Sequence, residues 1–324
     1  VPGAIFERAA SWRLSAALML SCLAMVPLSG CGRADGDQQI LRVAGQRGGT
    51  RAMMTAAGEL DHLPYKVEWS EFPSAPPQIE AISAGAVDVG AASANAFLFA
   101  YGSNPELRAV QALSGGDNQQ VAAVVVPNGS SIRTGRDLRG KRIGTTRGTA
   151  GHSVLLQALE QAGLKPEDVK ISFLTPSEGL TAFRNGDLDA LAIWIPYLAM
   201  AVLHQKARVL TYANTGNTAY MFQISTKSSL KAKRDLIADF TRRYGRAQSW
   251  ANKHSREWAQ ILVRETNVPP DVAAYTAERL RWTPVPIDDK VIETQKITVR
   301  RFHITGRNGQ GIDLAAGFDA VESR

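Results

Sequence analysis

Thiols are nearly absent from this chain. Only two of its 324 residues are cysteines, Cys22 and Cys31, and both lie in the first tenth. The remainder therefore has no disulfide framework, no zinc knuckle and no cysteine nucleophile. Gly-Lys-Ser/Thr does not occur, which excludes an ATPase P-loop. Gly-x-Ser-x-Gly is missing too, and with it the hydrolase nucleophile elbow. The five histidines, His62, His152, His204, His254 and His303, are scattered. No His-x-x-x-His pair or carboxylate cluster indicates a metal, and no cofactor is implied. The longest apolar run, Leu14 to Leu28, is fifteen residues with a proline inside. A bilayer-spanning helix needs about 20.

What is present is ordinary globular composition, with 44% hydrophobic and 21% charged residues. At about 150 residues per domain the length points to two domains, with ample core. A net charge of +7 is a mild excess that suits an anionic ligand or a membrane surface. A nucleic-acid reader would need a basic recognition element. The basic run Arg242, Arg243 and Arg246 lies opposite an apolar stripe, Leu236, Ile237, Phe240, Tyr244 and Ala247. It reads as a solvated helix face, and no nucleic-acid partner is expected.

The N-terminus reads as an address. Arg8 and Arg13 precede the apolar run, as in an export signal. Leu28-Ser29-Gly30-Cys31 then resembles the bacterial lipoprotein signal, in which the cysteine is acylated and becomes the new N-terminus. The alternative is a plain secretory signal with an incidental cysteine. Residues 1–30 are thus the expected signal peptide and 31–39 a polar tether. Removing Glu7, Arg8 and Arg13 takes the charge from +7 to +6. The expected location is the periplasm or cell surface, lipid-anchored. Gly32 follows Cys31 where an aspartate is associated with inner-membrane retention. Val1 in place of Met points to an alternative start codon or a truncated start.

Residues 40–225 look like one pattern written twice, one hundred residues apart. Arg42-Val43-Ala44-Gly45-Gln46-Arg47-Gly48-Gly49-Thr50 echoes Arg142-Ile143-Gly144-Thr145-Thr146-Arg147-Gly148-Thr149-Ala150. Each is a β-rich run, an Arg-Gly turn and a helical pattern. The first helix is expected over Thr50–Leu60. The second carries Val154, Leu155, Ala158, Leu159 and Ala162 at helical spacing and stops at Gly163. Pro73-Ser74 and Pro176-Ser177 each open a further helix, ended by Gly85 and Gly186. Asp88 and Asp189 follow at the head of the next strand. Glycine at a helix C-terminus supplies the positive φ required there. Each half reads strand–helix–strand–helix–strand, a mostly parallel sheet covered by helices. Two apolar strands, Val121–Val126 and Tyr220–Ile224, are expected to cross between the halves as a hinge. Beyond Leu230 the pattern is helical, ending with Val291, Ile292, Gln295, Val299 and Phe302 on one face. The stretch after Thr305 is Gly-rich.

In open parallel sheets ligands bind beyond the carboxyl ends of the strands. The Arg-Gly turns stand there, each leading into a helix whose free N–H groups and partial positive charge favour an anion. Many such turns only pack. Ser93 and Asn95 are helix-cap residues that can also face the cleft. Trp194, before a proline-started helix, is either core or a wall for an organic tail. Arg47 and Arg147 either pair an anion or are solvated. His152 sits where a hydrogen bond is commoner than catalysis.

Several segments share one family look. They are Val67-Glu68-Trp69-Ser70-Glu71-Phe72-Pro73, Gly85-Ala86-Val87-Asp88-Val89-Gly90, Asp137-Leu138-Arg139-Gly140-Lys141, Gly148-Thr149-Ala150-Gly151-His152 and Ile193-Trp194-Ile195-Pro196-Tyr197. Over residues 40 to 265 the chain resembles the substrate-binding proteins of ABC importers for aliphatic sulfonates, nitrate and taurine. The resemblance implies an α/β, two-lobed periplasmic-binding fold of type II. It also implies closure on a small anion, such as a sulfonate or sulfate ester, and delivery to a membrane permease. Residues 40–123 with 221–324 would form one lobe and 124–220 the other. By matched motif position, Gln46, Ser74, Ser93, Asn95, Thr149 and His152 would be polar contacts. Backbone N–H groups would come from Gly49 and Gly151, and Phe72, Trp194 and Tyr220 would face the organic end. Ala94, Ala150 and Ile195 depart from the family, which commonly has acids at the first and last and a hydroxyl at the second. An ammonium-bearing ligand would then find no partner unless Glu71 or Glu178 served. Sulfinate desulfinases and thiamine-pyrimidine synthases resemble the same fold, but want a reactive cysteine or a histidine centre. A transcriptional effector would need a helix-turn-helix module where the signal peptide stands.

Overall fold

A computed structural model describes residues 39–46, 49–116, 120–212, 219–301, 303–304 and 311–321. The expected signal peptide and Cys31, with Arg47, Gly48, Phe302 and residues 117–119, 213–218, 305–310 and 322–324, lie outside the described residues. The first half runs β1 (Ile40–Gln46), α1 (Thr50–Ala56), β2 (Lys66–Phe72), α2 (Ala75–Ser83), β3 (Val89–Ser93), α3 (Ala94–Ser103) and β4 (Leu107–Ser114). The second runs β5 (Ala122–Val126), β6 (Arg142–Thr145), α4 (Ala150–Gln161), β7 (Lys170–Phe173), α5 (Pro176–Asn185), β8 (Ala190–Trp194), α6 (Tyr197–His204) and β9 (Arg208–Tyr212). Then follow β10 (Tyr220–Thr226), α7 (Lys227–Lys253), α8 (Ser255–Thr266), α9 (Pro270–Arg279), β11 (Thr283–Val285) and α10 (Asp289–Arg301).

Two sheets result, ordered β11-β4-β10-β3-β1-β2 and β7-β6-β8-β5-β9. In each, the first-read strand pairs in parallel with its two neighbours, β1 with β2 and β3, β6 with β7 and β8. An antiparallel strand then closes each set, β10 beside β3 and β5 beside β8. The repeat is thus deeper than the strand–helix echo, because the closing strand recurs as well. Its origin differs: β5 precedes its lobe's parallel strands in the chain, while β10 follows.

This corrects the expected hinge and boundaries. β5 and β10 do not span the two sheets; each runs inside one. The crossings fall just before them, between Ser114 and Ala122 and between Tyr212 and Tyr220. Ala122 and Ala123 belong with the second sheet and Tyr220 with the first. β5 is buried throughout and β10 at every residue but Met221, so both are interior strands of their sheets. Helix α1 is also shorter than expected: it ends at Ala56, and Gly58 beyond it takes φ of +69°.

Both sheets are covered on both faces, so adjacent strand residues enter different cores. Val43 packs toward α1, α7 and α8, whereas Ala44 packs toward α2 and α3. Val124 faces the α4 side and Val125 the α5–α6 side. On α7, Ile237, Phe240, Tyr244 and Ala247 are buried. The opposite arginines are neutralised locally, Arg242 and Arg243 on Asp239 and Arg246 on Glu59. Among the described residues, no helix is long and apolar enough to cross a membrane.

The two halves carry the same polar clamp. Asp88, ahead of β3, accepts from the Arg42 backbone N–H at 2.8 Å and from its guanidinium at 2.7 Å. Asp88 N–H in turn donates to the Arg42 carbonyl at 2.8 Å. Arg142 and Asp189 repeat all three contacts, at 2.8, 2.9 and 2.9 Å. In the first lobe alone, Lys233 of α7 adds a further bond to the same carboxylate, at 2.7 Å, and there α7 leaves helical geometry. Burial disfavours ionisation of Asp88, but the bonds from Arg42 and Lys233 outweigh it and hold its carboxyl below the usual range.

Asp88 is 1% exposed, so Asp88→Asn strands two cations beside a buried site. It is expected to cost about 3 kcal/mol in urea unfolding. Asp189→Asn breaks a pair whose side chains are 47% and 32% exposed and is expected to cost under about 1 kcal/mol. The folded value of Asp88 lies below the unfolded one. Its contribution is therefore complete above the usual carboxylate range and is lost as pH falls through the folded value. Equal costs for the two variants would refute this ranking.

Candidate functional site

A cavity of about 870 Å³ opens between the carboxyl ends of the two sets of strands. Two helices point their N-termini at it, α3 from the first lobe and α4 from the second. Both begin directly after a strand or its turn, and neither has an acidic residue in its first turn. Their partial positive ends are therefore not neutralised locally. Ser93 caps α3 by accepting the Ala96 N–H at 3.3 Å. Thr149 caps α4, accepting the His152 N–H and donating to the Thr146 carbonyl at 2.7 Å. Both residues also line the cavity.

Of the eleven residues expected to meet a ligand, seven line the cavity: Gln46, Gly49, Ser93, Asn95, Thr149, Trp194 and Tyr220. The wall does not include Phe72, Ser74, Gly151 or His152, and each has another place. Phe72 ends β2 and packs against the α2–α3 core. Ser74 is buried at the start of α2 without a side-chain capping bond. Gly151 faces inward: a Cβ there would sit 2.6 Å from the Ala192 carbonyl oxygen. It lets α4 seat on β8, where Thr145 Oγ1 also donates to the Ala192 carbonyl. The glycine serves packing, which its place in the motif does not reveal.

His152 is the larger correction. Its ring stacks on Phe99 of α3, in the other lobe, at 5.9 Å and meets Phe173 edge-on at 5.2 Å. Nδ1 accepts the Gly148 N–H at 3.3 Å. Arg147 lies over the Phe173 ring at 3.7 Å, a cation–π contact, and is not in the cavity wall. Burial, reinforced by the Arg147 charge, lowers the His152 value to about 4. The residue is a neutral aromatic element joining the lobes.

The sequence reading missed the outer wall. Ser177, Leu180, Thr181 and Arg184 of α5 all line it, at the i, i+3, i+4, i+7 spacing of one helix face. Ala150, Ser153 and Gln157 form a similar stripe on α4, and Thr294, Gln295 and Thr298 another on α10. Such stripes read as solvent faces unless the cleft is known. Trp258, Leu262 and Trp282 add an apolar floor, and Trp194 meets Tyr197 edge-on at 5.9 Å. Ala94 and Ile195 line the wall, while Glu71 and Glu178 do not; Glu178 is taken by the α5 capping box with Thr175. No aspartate or glutamate occurs among the described lining residues, and Arg184 is the one arginine or lysine. No group of three metal-ligating side chains is found among the described residues.

Two lobes of strand–helix repeats, each closed by an antiparallel strand beside a shared cleft, define the periplasmic-binding fold of type II. The alkanesulfonate-binding protein of Xanthomonas axonopodis pv. citri bound to MOPS has this fold. It is 26% identical, superposes with a TM-score of 0.77, and the match covers 87% of this chain and 98% of that one. A putative aliphatic sulfonates-binding protein of Escherichia coli K12 is 28% identical over 274 residues, 83% of this chain and 85% of its own. The chain belongs to the NMT1/THI5-like family, whose model matches residues 67–257. A desulfurization enzyme shares the fold, with a TM-score of 0.63 at 14% identity.

The His152 environment makes a pH prediction. Between the ordinary histidine value and about 4, the unfolded chain holds the proton and the folded chain does not. Stability therefore falls as pH falls through that window, by up to about 1.4 kcal/mol per unit. In His152→Asn this contribution is gone, so the stability advantage of wild type over the variant should shrink from pH 7 to 4.5. A pH-independent difference would contradict the assignment.

Proposed function

We propose that this protein is the extracytoplasmic solute-binding component of an ABC importer, which captures an organic sulfonate or related oxyanion between its lobes and presents it to the permease. The observation that carries the reading is the charge of the wall. Two helix N-termini from opposite lobes converge on a cavity whose described lining residues include one arginine and no carboxylate. A sulfonate is ionised at every physiological pH and needs donors rather than proton chemistry. The Ser93 hydroxyl and the Asn95 and Gln46 amides supply donors, with Trp194 and Tyr220 beside the organic end; the Thr149 hydroxyl and the Gly49 N–H already donate to the Thr146 and Gln46 carbonyls. Residues 40–121 with 220–321, and 122–212, are the units that would close on the ligand. The related proteins are named as binding proteins, which supports capture rather than turnover.

The same wall argues against an ammonium group on the ligand. A desolvated cation without a partner costs several kcal/mol, and Ala94 and Ile195 offer none. Each buried CH₂ contributes about 0.8 kcal/mol. Isothermal titration should therefore rank butanesulfonate above ethanesulfonate by roughly tenfold, with taurine weakest. Taurine binding as tightly as ethanesulfonate would sink the argument.

We further propose that Cys31 is acylated and holds the protein on a membrane, as the Leu-Ser-Gly-Cys run supports. Chains attached there add about 0.8 kcal/mol per buried CH₂. In a bacterial host, Cys31→Ala should lose labelled palmitate and either leave the membrane fraction or persist as precursor. A variant processed and membrane-bound like wild type would disprove the anchor.

A further inference from the structure

The cavity continues past the anion-receptive end. Helix α6 starts at Tyr197, beside Trp194, and ends at His204; seven steps at 1.5 Å carry the wall roughly 10 Å further. Tyr197, Met200, His204 and then Gln205 line this extension. Helix α9 forms the opposite side with Thr276 and Leu280. It is held on α6 by Asp271, whose carboxylate meets His204 Nε2 at 3.0 Å.

Two buried polar atoms in this arm have no hydrogen-bond partner among the described residues. Thr276 is 3% exposed and lines the cavity, yet its hydroxyl makes no hydrogen bond. That is unusual for a helical threonine, whose hydroxyl commonly back-bonds to a carbonyl one turn earlier. Thr55, Thr181, Thr241, Thr266 and Thr294 all do so in this protein. Gln205 is the second. Its Nε2 donates to the Leu180 carbonyl at 3.3 Å, which fixes the amide, and its Oε1 is buried without a partner. Leaving such groups unpaired is costly, and a ligand that pairs them recovers the cost.

We infer that the α6–α9 arm is a second subsite, which takes the far end of an elongated ligand and recognises a neutral hydrogen-bond donor there. The inference rests on the sulfonate reading for the near end and names the ligand class more closely: an anionic head, an apolar body and a terminal hydroxyl or amide N–H. The donor requirement comes from Gln205, whose buried oxygen can only accept. Thr276 can donate to or accept from the same kind of group. Neutrality follows from the lack of a carboxylate in the described wall.

The test is a comparison of octanesulfonate with 8-hydroxyoctanesulfonate by isothermal titration, with ethanesulfonate as the short reference on wild type. The hydroxyl should improve binding about fivefold, the equivalent of one net hydrogen bond. In Thr276→Val, and separately in Gln205→Met, the ratio of the two octyl affinities should fall toward one. A ratio is read so that general damage to the site, which weakens both ligands, does not imitate the effect. Equal affinities in wild type, or a hydroxyl preference retained in both variants, would overturn the second subsite while ethanesulfonate binding leaves the near-end reading intact. If wild type binds none of the three, the sulfonate reading fails and the subsite falls with it.

Discussion

The arginine–aspartate clamp at the head of each parallel set is the contact on which the remaining geometry depends. It ties the first residues of β1 to the entrance of β3, and of β6 to the entrance of β8, through main-chain and side-chain bonds together. Fixing the entrances fixes the strand register, and with it the point at which each strand ends. The helix N-termini follow from those ends: α3 begins directly after β3, and α4 after the turn that leaves β6. The direction in which both partial positive charges point is thus decided about one strand length away from the cavity. In the first lobe Lys233 joins the clamp, so the long helix α7 is keyed to the same register.

Much of this was legible because it is written twice. The strands and helices of the echo recur in both halves, and Gly85 and Gly186 both adopt the positive φ their helix ends require. The helix-start readings of Ser93 and Thr149 also rest on local chemistry, since a capping hydroxyl needs only its own backbone. What was not legible depends on long-range packing. Nothing in the local pattern says whether a residue in the first turn of α4 faces the cleft or the sheet beneath. Thr149 faces the cleft, Gly151 is pressed on Ala192, and His152 is enclosed by Phe99 and Phe173. Likewise, Thr181 and Arg184 on α5 carry the polar signature of an outer face. They become wall because the helices after β10 are brought opposite them.

The electrostatic character of the cavity comes as much from omission as from placement. The net charge of +7 is not gathered at the cleft. The α7 arginines are spent on Asp239 and Glu59, Arg142 on Asp189 and Arg147 on a phenylalanine ring. The described wall is left with Arg184, main-chain dipoles, hydroxyls, amides and aromatic faces. Such a site holds charge by oriented donors, whose strength depends on exclusion of water more than on a counter-charge.

The off-sequence arrival of β10 bears on how the chain assembles. The sheet of β5 to β9 is drawn from one unbroken stretch and can complete itself alone. Its counterpart cannot. Among the described residues β4 pairs with β10 and β11 and bridges Phe318 at Ala109, so until Tyr220–Thr226 is delivered it has no link to β3. During synthesis or refolding, two unpaired strand edges wait for a segment more than a hundred residues downstream. Contacts at such separation form slowly, and open edges are where chains pair wrongly. The second lobe can thus complete its sheet from its own stretch of chain, whereas the first needs one inserted strand to join β4 to β3.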